Sequence, residues 1–291
     1  MSGNASRWWL GALFAAFVAF LYGPTLTILV LSFQGPEGGL VFPMNGLSLH
    51  WYRKLLAGGG VVDIWSAFGR SFRLGLAVMA ITTVVALLGG YAFRRRFRGA
   101  GTLFQLVVAS LIVPSIAVSL GIALQFRILD DWVRSLAEAG SLPAWFPEDY
   151  TTGMGLFTSG LGAHLTWTLP FGLLIMFAVF NRFPTEVEEA ARDLGASPWG
   201  VFRYAVLPLV APSLVGVALF GFTLSWDEIA RSSQAMGETN TLPLELQGLT
   251  TTATTPEIYA LGTLTTGVSA VVIALAFAVQ ALVRRARRRA A

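Results

Sequence analysis

Cysteine is absent from this sequence of 291 residues, and charged residues make up only 12% of it. Without cysteine the chain forms no disulfide and has no thiol for catalysis or metal binding. A soluble domain carries about 25% charged residues. The low charge content and the 55% hydrophobic content together indicate a membrane protein.

Lysine and histidine are almost as scarce. Lys54 is the only lysine, and no glycine-rich GxxxxGK[ST] motif surrounds it, so the chain has no P-loop of its own. His164 has no second metal-ligating residue at a suitable spacing, which predicts a hydrogen-bonded packing residue rather than a metal ligand. The net charge of +4 does not indicate a nucleic-acid partner, because the arginines cluster beside apolar stretches.

Six apolar windows are each long enough to cross a bilayer, which requires about 20 residues. We place the spans at residues 8–33, 72–93, 101–126, 156–180, 209–230 and 258–283. With six spans, thirteen of the twenty basic residues lie on the side of the termini. The positive-inside rule therefore places both termini and the 181–208 segment in the cytoplasm. We predict an all-α polytopic membrane protein with six transmembrane helices, in which residues 1–291 form a single domain.

The stretch Thr185–Pro208 is the longest charged, helix-competent segment of the chain. Thr185 and Glu188 fit a capping box at the start of a short helix. Gly195 is expected to end this helix in a left-handed conformation, and Ser197, followed by proline, to begin a second helix. The first helix carries one apolar stripe, formed by Val187, Ala190, Ala191 and Leu194. A capped pair of helices between two spans predicts a docking surface.

This segment resembles the EAA loop of binding-protein-dependent ABC importer permeases, with the same spacing of Glu189-Ala190-Ala191, Gly195 and Leu207-Pro208. Ala205 departs from the pattern, which usually has a β-branched apolar residue there. The resemblance extends over nearly the whole chain. The stretches FTLSWDE, at the end of the fifth span, and TLPLELQGLTTTATTPEIYALGTL, before and into the sixth, are most similar to the spermidine/putrescine branch of the family.

The resemblance implies the type I, MetI-like permease fold and a chain of the bacterial inner membrane that is not itself an enzyme. ATP and Mg²⁺ would bind to a separate ATPase dimer, and a periplasmic binding protein would deliver a small organic solute. A second permease subunit, homologous but not identical, would complete the complex. The cytoplasmic EAA helix pair would couple the ATPase to the spans through Glu189, Ala190, Ala191, Gly195, Leu207 and Pro208.

Asp227 and Glu228 lie at the outer end of the fifth span, where carboxylates are often interfacial and hydrated. They are equally the acidic candidates for the transport path, because charged residues deeper in a span usually face a cavity. Such carboxylates suit a polyamine. Arg231 lies four residues after Asp227, where a helix would pair the two charges and partly cancel the negative field. Pro114 is expected to kink the third span, with Ser115 and Ser119 able to bind the backbone groups that the kink frees. Ser115, where related permeases often carry an acid, makes the path less acidic.

The lower acidity leaves a zwitterionic or anionic organic solute open as an alternative to a polyamine. Two other function classes are less compatible with the sequence. A self-contained secondary transporter would show paired broken helices from inverted repeats. An intramembrane enzyme would need a nucleophile with a base, or a metal cluster, within the spans. We therefore predict the permease subunit of an ATP-driven importer.

Overall fold

The computed structural model describes residues 3–58, 63–95, 97–147, 149–252 and 255–290. Within these residues the chain is helical apart from its connections, and an isolated antiparallel bridge joins Gln34 to Leu47. π-helical turns at Leu156–Gly160 and Val201–Val206 lead into the sixth and ninth helices. The helices are α1 (Gly3–Leu31), α2 (His50–Leu56), α3 (Ile64–Phe93), α4 (Ala100–Ser110), α5 (Ser115–Glu138), α6 (Leu161–Phe180), α7 (Thr185–Asp193), α8 (Pro198–Gly200), α9 (Leu207–Trp226), α10 (Ser232–Ala235), α11 (Leu242–Thr252) and α12 (Glu257–Ala290).

Five helical segments of the described chain are long and apolar enough to span a bilayer, and the number is six if the pair α4–α5, bent by 101°, is one broken span. These segments lie at the six predicted windows. The third span is broken rather than kinked, because Pro114 lacks an amide hydrogen and restricts the residue before it. Helix α5 continues beyond the third predicted window, which ends at residue 126, to Glu138, and the left-handed Gly140 (φ +65°) follows.

The fifth span also differs from the prediction. The short helix α8, the π turn and α9 follow one another as one helical stretch, Pro198–Trp226. The expected second short helix is therefore the beginning of the span. Pro208 accounts for the π turn, because it has no amide hydrogen to bond in the α pattern. The helix ends at Trp226 and not at residue 230, because the Glu228 carboxylate accepts the Arg231 amide (3.0 Å) in the turn that follows.

The chain divides into two compact units. The first consists of Met1–Trp65 and Glu245–Val271, and the second of Ser66–Leu244 and Val272–Ala291. The first unit contains α1 and α2, and the second contains α4 to α10 and most of α3. All the candidate coupling and path residues lie in the second unit.

In the first unit, polar contacts attach the segment after α1 to the start of α12. Lys54 Nζ lies 2.7 Å from Glu257 Oε2. Tyr259 donates its hydroxyl to the carbonyl oxygen of Leu40 at 2.6 Å. Glu257 is buried, and a buried carboxylate is stable only when it is paired, so Lys54 stabilises this end of α12.

In the second unit, α3, α6 and α9 approach each other at glycines. A Cβ atom on Gly90 of α3 would lie 2.7 Å from Met176 Cβ of α6. One on Gly172 of α6 would lie 2.8 Å from Thr82 of α3, and one on Gly221 of α9 would lie 3.2 Å from a backbone atom of α3. Small residues permit such close contact between helices in a membrane, where packing rather than the hydrophobic effect drives association.

We predict that Gly90→Ala destabilises the protein by about 1–3 kcal/mol, because the added methyl group overlaps Met176 and Phe180. Gly101→Ala, in α4, is the matched control, since nothing lies within 4 Å of a Cβ there. The thermal unfolding temperature in mild detergent measures the difference. Equal unfolding temperatures for the two variants would contradict the proposed close packing.

Candidate functional site

A cluster of polar side chains surrounds Arg231, which follows the end of α9. Its side chain is only 1% exposed. The guanidinium donates to Ser115 Oγ at 2.9 Å, to Glu228 Oε2 at 3.2 Å and to Thr166 Oγ1 at 3.2 Å. It also lies over the ring of Trp167, 4.6 Å from the ring centre. A buried cation requires this kind of compensation, so the guanidinium is held by α5, α6 and the turn after α9 together.

The backbone of Arg231 is fixed as firmly as its side chain. Its amide donates to Glu228 Oε1 at 3.0 Å, and its carbonyl oxygen accepts the hydroxyl of Ser119 at 2.8 Å. The sequence predicted that Ser115 and Ser119 satisfy backbone groups freed by Pro114. In the structure both hydroxyls bind Arg231 instead, and they attach the first turns of α5 to the turn after α9.

Arg231 pairs with Glu228 and not with Asp227, so the predicted Asp227–Arg231 pair is wrong. That prediction assumed a helix through residue 230, but the helix ends at Trp226 and the i, i+4 relation is lost. Asp227 is exposed, and within the described residues its carboxylate forms no hydrogen bond or ion pair. Desolvation by the surrounding protein, and then the charge of Glu228, raise the pKa of Asp227 above its usual value.

His164 extends the polar cluster into α6. Its side chain is buried, with Nδ1 2.8 Å from Ser225 Oγ and Nε2 3.0 Å from Ser232 Oγ. The prediction of a hydrogen-bonded packing histidine is confirmed. Within the described chain, no group of three His, Cys, Asp or Glu residues is arranged to hold a metal ion. The histidine therefore joins α6 to the end of α9 through Ser225 and to α10 through Ser232.

An open groove beside the cluster has a volume of about 590 Å³. It lies between α3, α4 and α6, and its walls are almost entirely apolar. Thr166 lines the groove and also accepts a hydrogen bond from Arg231. None of the four predicted path residues, Asp227, Glu228, Arg231 and Ser115, lines it.

The second candidate region is the coupling segment 181–208. It lies between the end of α6 and the start of α9, whereas the polar cluster lies at the start of α6 and the end of α9. Glu188 of α7 is buried, and its carboxylate accepts from Arg94 Nε at 2.9 Å and from Arg192 Nη2 at 2.7 Å. Arg94 follows α3 and stacks on the Tyr91 ring at 3.5 Å. Tyr91 in turn contacts Phe202 in the π turn before α9, with ring centres 5.1 Å apart. The segment is thus bonded to the end of α3.

These contacts correct the predicted capping box. Pro184 is the N-cap residue and forms no side-chain cap bond, so Thr185 is already helical. The helix begins one residue earlier than the box requires, and Glu188 is free to bind Arg94. Sequence reasoning missed this ion pair. The only signal was an arginine directly after an apolar window and a glutamate in a later amphipathic helix.

The turn after α7 forms as predicted. Gly195 has φ +81°, and its amide donates to Arg192 O at 2.8 Å. The amide of Ala196 donates to Ala191 O at 3.0 Å, which completes a left-handed C-terminal turn of the kind that glycine favours. Ser197 caps the next helix by accepting the Gly200 amide at 3.2 Å.

The outer surface of the segment combines acidic and large apolar side chains. Glu189 and Ala190 are exposed, whereas Ala191 packs against the core. Leu194, predicted to extend the apolar stripe, is 89% exposed because α7 ends one residue before it. Trp199 is also exposed, and Leu207 and Pro208 are half-buried at the start of α9. An exposed leucine and tryptophan that follow the acidic helix α7 are typical of a protein-binding surface.

Comparison with known proteins identifies the family. Residues 82–289 match the family model described as "Binding-protein-dependent transport system inner membrane component". The chain is 28% identical to the putrescine transport system permease protein PotI of Escherichia coli K12, over 97% of this chain and 94% of that protein. It is 29% identical to the spermidine/putrescine permease protein PotC of Haemophilus influenzae, over 84% of this chain and 86% of that protein.

Solved structures share the fold. A chain of a bacterial ABC transporter involved in the import of the acidic polysaccharide alginate superimposes with a TM-score of 0.59. It is 16% identical, and the match covers 96% of this chain and 97% of that one. A chain of the inward-facing MetNI methionine ABC transporter gives a TM-score of 0.56 at 16% identity, over 81% of this chain and 99% of that one.

These matches confirm the all-α, MetI-like fold and a multi-pass protein of the inner membrane. Components of this family are not enzymes, and the ATPase and the periplasmic binding protein of such a system are separate subunits. The chain belongs to the binding-protein-dependent transport system inner membrane components, which are the permeases of ABC importers.

Proposed function

We propose that this chain is one of two permease subunits in an importer of polyamines. The observation that carries this proposal is the similarity, over nearly the whole chain, to permeases named for putrescine and for spermidine/putrescine transport. The geometry adds support, because Asp227 offers an exposed carboxylate next to a compact polar cluster. A carboxylate attracts an ammonium group, and Glu228 and Ser115 lie in the same cluster.

The alternative of an anionic or zwitterionic solute depends on Arg231 being available to bind a carboxylate. Arg231 is 1% exposed, and its charge is already compensated by Glu228 and by the Trp167 ring. Binding an anion would require these contacts to break and the guanidinium to leave its site. The observed contacts therefore favour a cationic solute.

The coupling segment is proposed to dock on the ATPase. Glu189 is exposed and available for a charge-assisted contact, and Ala190 presents a small side chain beside it. Gly195 sets the angle between α7 and the start of the fifth span, while Ala191, Leu207 and Pro208 hold the segment against the helices. Docking that differs between two states of the ATPase would bias the permease between an outward-facing and an inward-facing conformation.

The orientation of the chain in the membrane and the other subunits of the complex follow from the same function. Both termini and the 181–208 segment would face the cytoplasm, in keeping with the basic residues on that side. A homologous, non-identical permease would occupy the other half of the complex, and ATP and Mg²⁺ would bind to the ATPase subunits. This chain itself would need no cofactor.

The solute class is tested by reconstituting the complex in liposomes with its binding protein and measuring ATP hydrolysis. We expect putrescine or spermidine to stimulate hydrolysis, and organic acids of similar size to have no effect. Stimulation by an anion alone would contradict the polyamine proposal and would give Arg231 a direct role in binding.

Substitutions of the neighbouring residues Glu188 and Glu189 are expected to have different effects, one on stability and the other on ATPase docking. Glu188→Ala is expected to destabilise the protein by about 3 kcal/mol, because it leaves the Arg94 charge buried without its partner. Glu189→Ala should leave the unfolding temperature unchanged and weaken ATPase binding. Thermal unfolding and co-purification with the ATPase measure the two effects. If Glu189→Ala binds the ATPase as tightly as the wild type, Glu189 is not part of the docking surface.

Gly195→Asp tests coupling at the turn. No atom lies within 4 Å of a Cβ at this position, so the variant should fold and insert, with a modest cost for the left-handed backbone. We expect solute uptake to fall by about tenfold, equivalent to about 1.4 kcal/mol, because a negative charge is added to an already acidic docking surface, while ATP hydrolysis persists. Gly195→Asn is the control of equal size without charge. Normal uptake by Gly195→Asp would overturn the coupling role.

A further inference from the structure

The three charged side chains after α9 do not contribute equally to the field that a solute meets. Glu228 is bonded twice to Arg231, through the amide and through the guanidinium. The side chain of Glu228 is 12% exposed and that of Arg231 is 1% exposed, so this pair is nearly removed from solvent. Asp227 is exposed and, among the described residues, has no partner.

Arg231 is also held too firmly to act as a mobile counter-charge. Three further side chains from two helices fix it: Ser115 from α5, and Thr166 and the ring of Trp167 from α6. Ser119 fixes its carbonyl oxygen. A guanidinium with this set of contacts keeps its position while a solute passes, and its charge stays opposite Glu228.

We propose that Arg231 is a specificity-determining residue that sets how many ammonium groups the path favours. By neutralising Glu228 it reduces the net negative charge of the trio Asp227, Glu228 and Arg231, from −2 without the guanidinium to −1 with it. A less negative site gains less from each additional ammonium group on the solute. Arg231 therefore shifts the preference of the permease toward amines of lower charge, such as a diamine, and away from triamines and tetraamines.

This inference rests on the proposed polyamine function and names the residue that tunes it. The physical basis is that the interaction energy of a fixed charge with a solute grows in proportion to the solute charge. Changing the net charge of the trio by one unit therefore alters the affinity for a triamine more than the affinity for a diamine. The ratio of the spermidine uptake rate to the putrescine uptake rate therefore reports the net charge of the trio, whereas a general loss of structure lowers both uptake rates alike.

The test is amine uptake into liposomes by the complete complex, with the binding protein saturated by putrescine or by spermidine. The same binding protein serves all variants, so its own preference cancels when the ratios are compared. Arg231→Met should raise the spermidine-to-putrescine ratio roughly threefold to tenfold. Asp227→Asn should lower the ratio, because the trio then has no net charge.

The double variant Glu228→Gln/Arg231→Met distinguishes an effect of charge from an effect of misfolding. It removes the buried cation together with its carboxylate partner and restores the net charge of −1, so its ratio should return to the wild-type value. An unchanged ratio in Arg231→Met, or a ratio in the double variant that stays at the Arg231→Met value, would overturn the inference. If the wild-type complex takes up neither amine, the proposed function itself fails, which is a distinct outcome.

Discussion

The close approach of α3, α6 and α9 at their glycines is the constraint on which the second unit depends. Gly90 and Gly172 let α3 and α6 come so near that a single added carbon atom would overlap a neighbouring side chain. An added carbon atom at Gly221 of α9 would lie 3.2 Å from the backbone of α3, which is a tight contact. Contacts of this kind leave little freedom to slide, because packed helices resist small displacements. The three helices are therefore expected to move as one body.

The two candidate regions lie at opposite ends of this body. The 20-residue helix α6 begins beside His164 and the polar cluster and ends at Phe180, which packs against Tyr91 near the coupling segment. A helix of that length spans about 30 Å. At one end Glu188 bonds the coupling segment to Arg94, and at the other end the polar cluster bonds α6 to the turn after α9. A displacement of the coupling segment would thus reach the polar cluster through packed helices.

The sequence predicted the features that local rules determine. Apolar windows predicted the spans, Pro114 the position of the bend in the third span though not its size, and Gly195 the left-handed turn, because each depends on a few neighbouring residues. Contacts between distant residues were beyond these rules: Arg94 and Glu188 are 94 positions apart, and Ser115 and Arg231 are 116 apart. The wrong pairing of Asp227 with Arg231 arose because helical periodicity was applied beyond the true end of α9.

We propose that a partner ATPase drives this permease by docking on the exposed face of the coupling segment. Thiol labelling tests it directly, because the chain contains no cysteine that would need to be removed first. Single cysteines are introduced at Leu194, which is 89% exposed, and at Trp145, which is 80% exposed, in the loop after α5. The cysteine at 194 should react in membranes without the ATPase and be protected in the assembled complex, while the cysteine at 145 reacts equally in both. Equal labelling at 194 with and without the ATPase would contradict the claim.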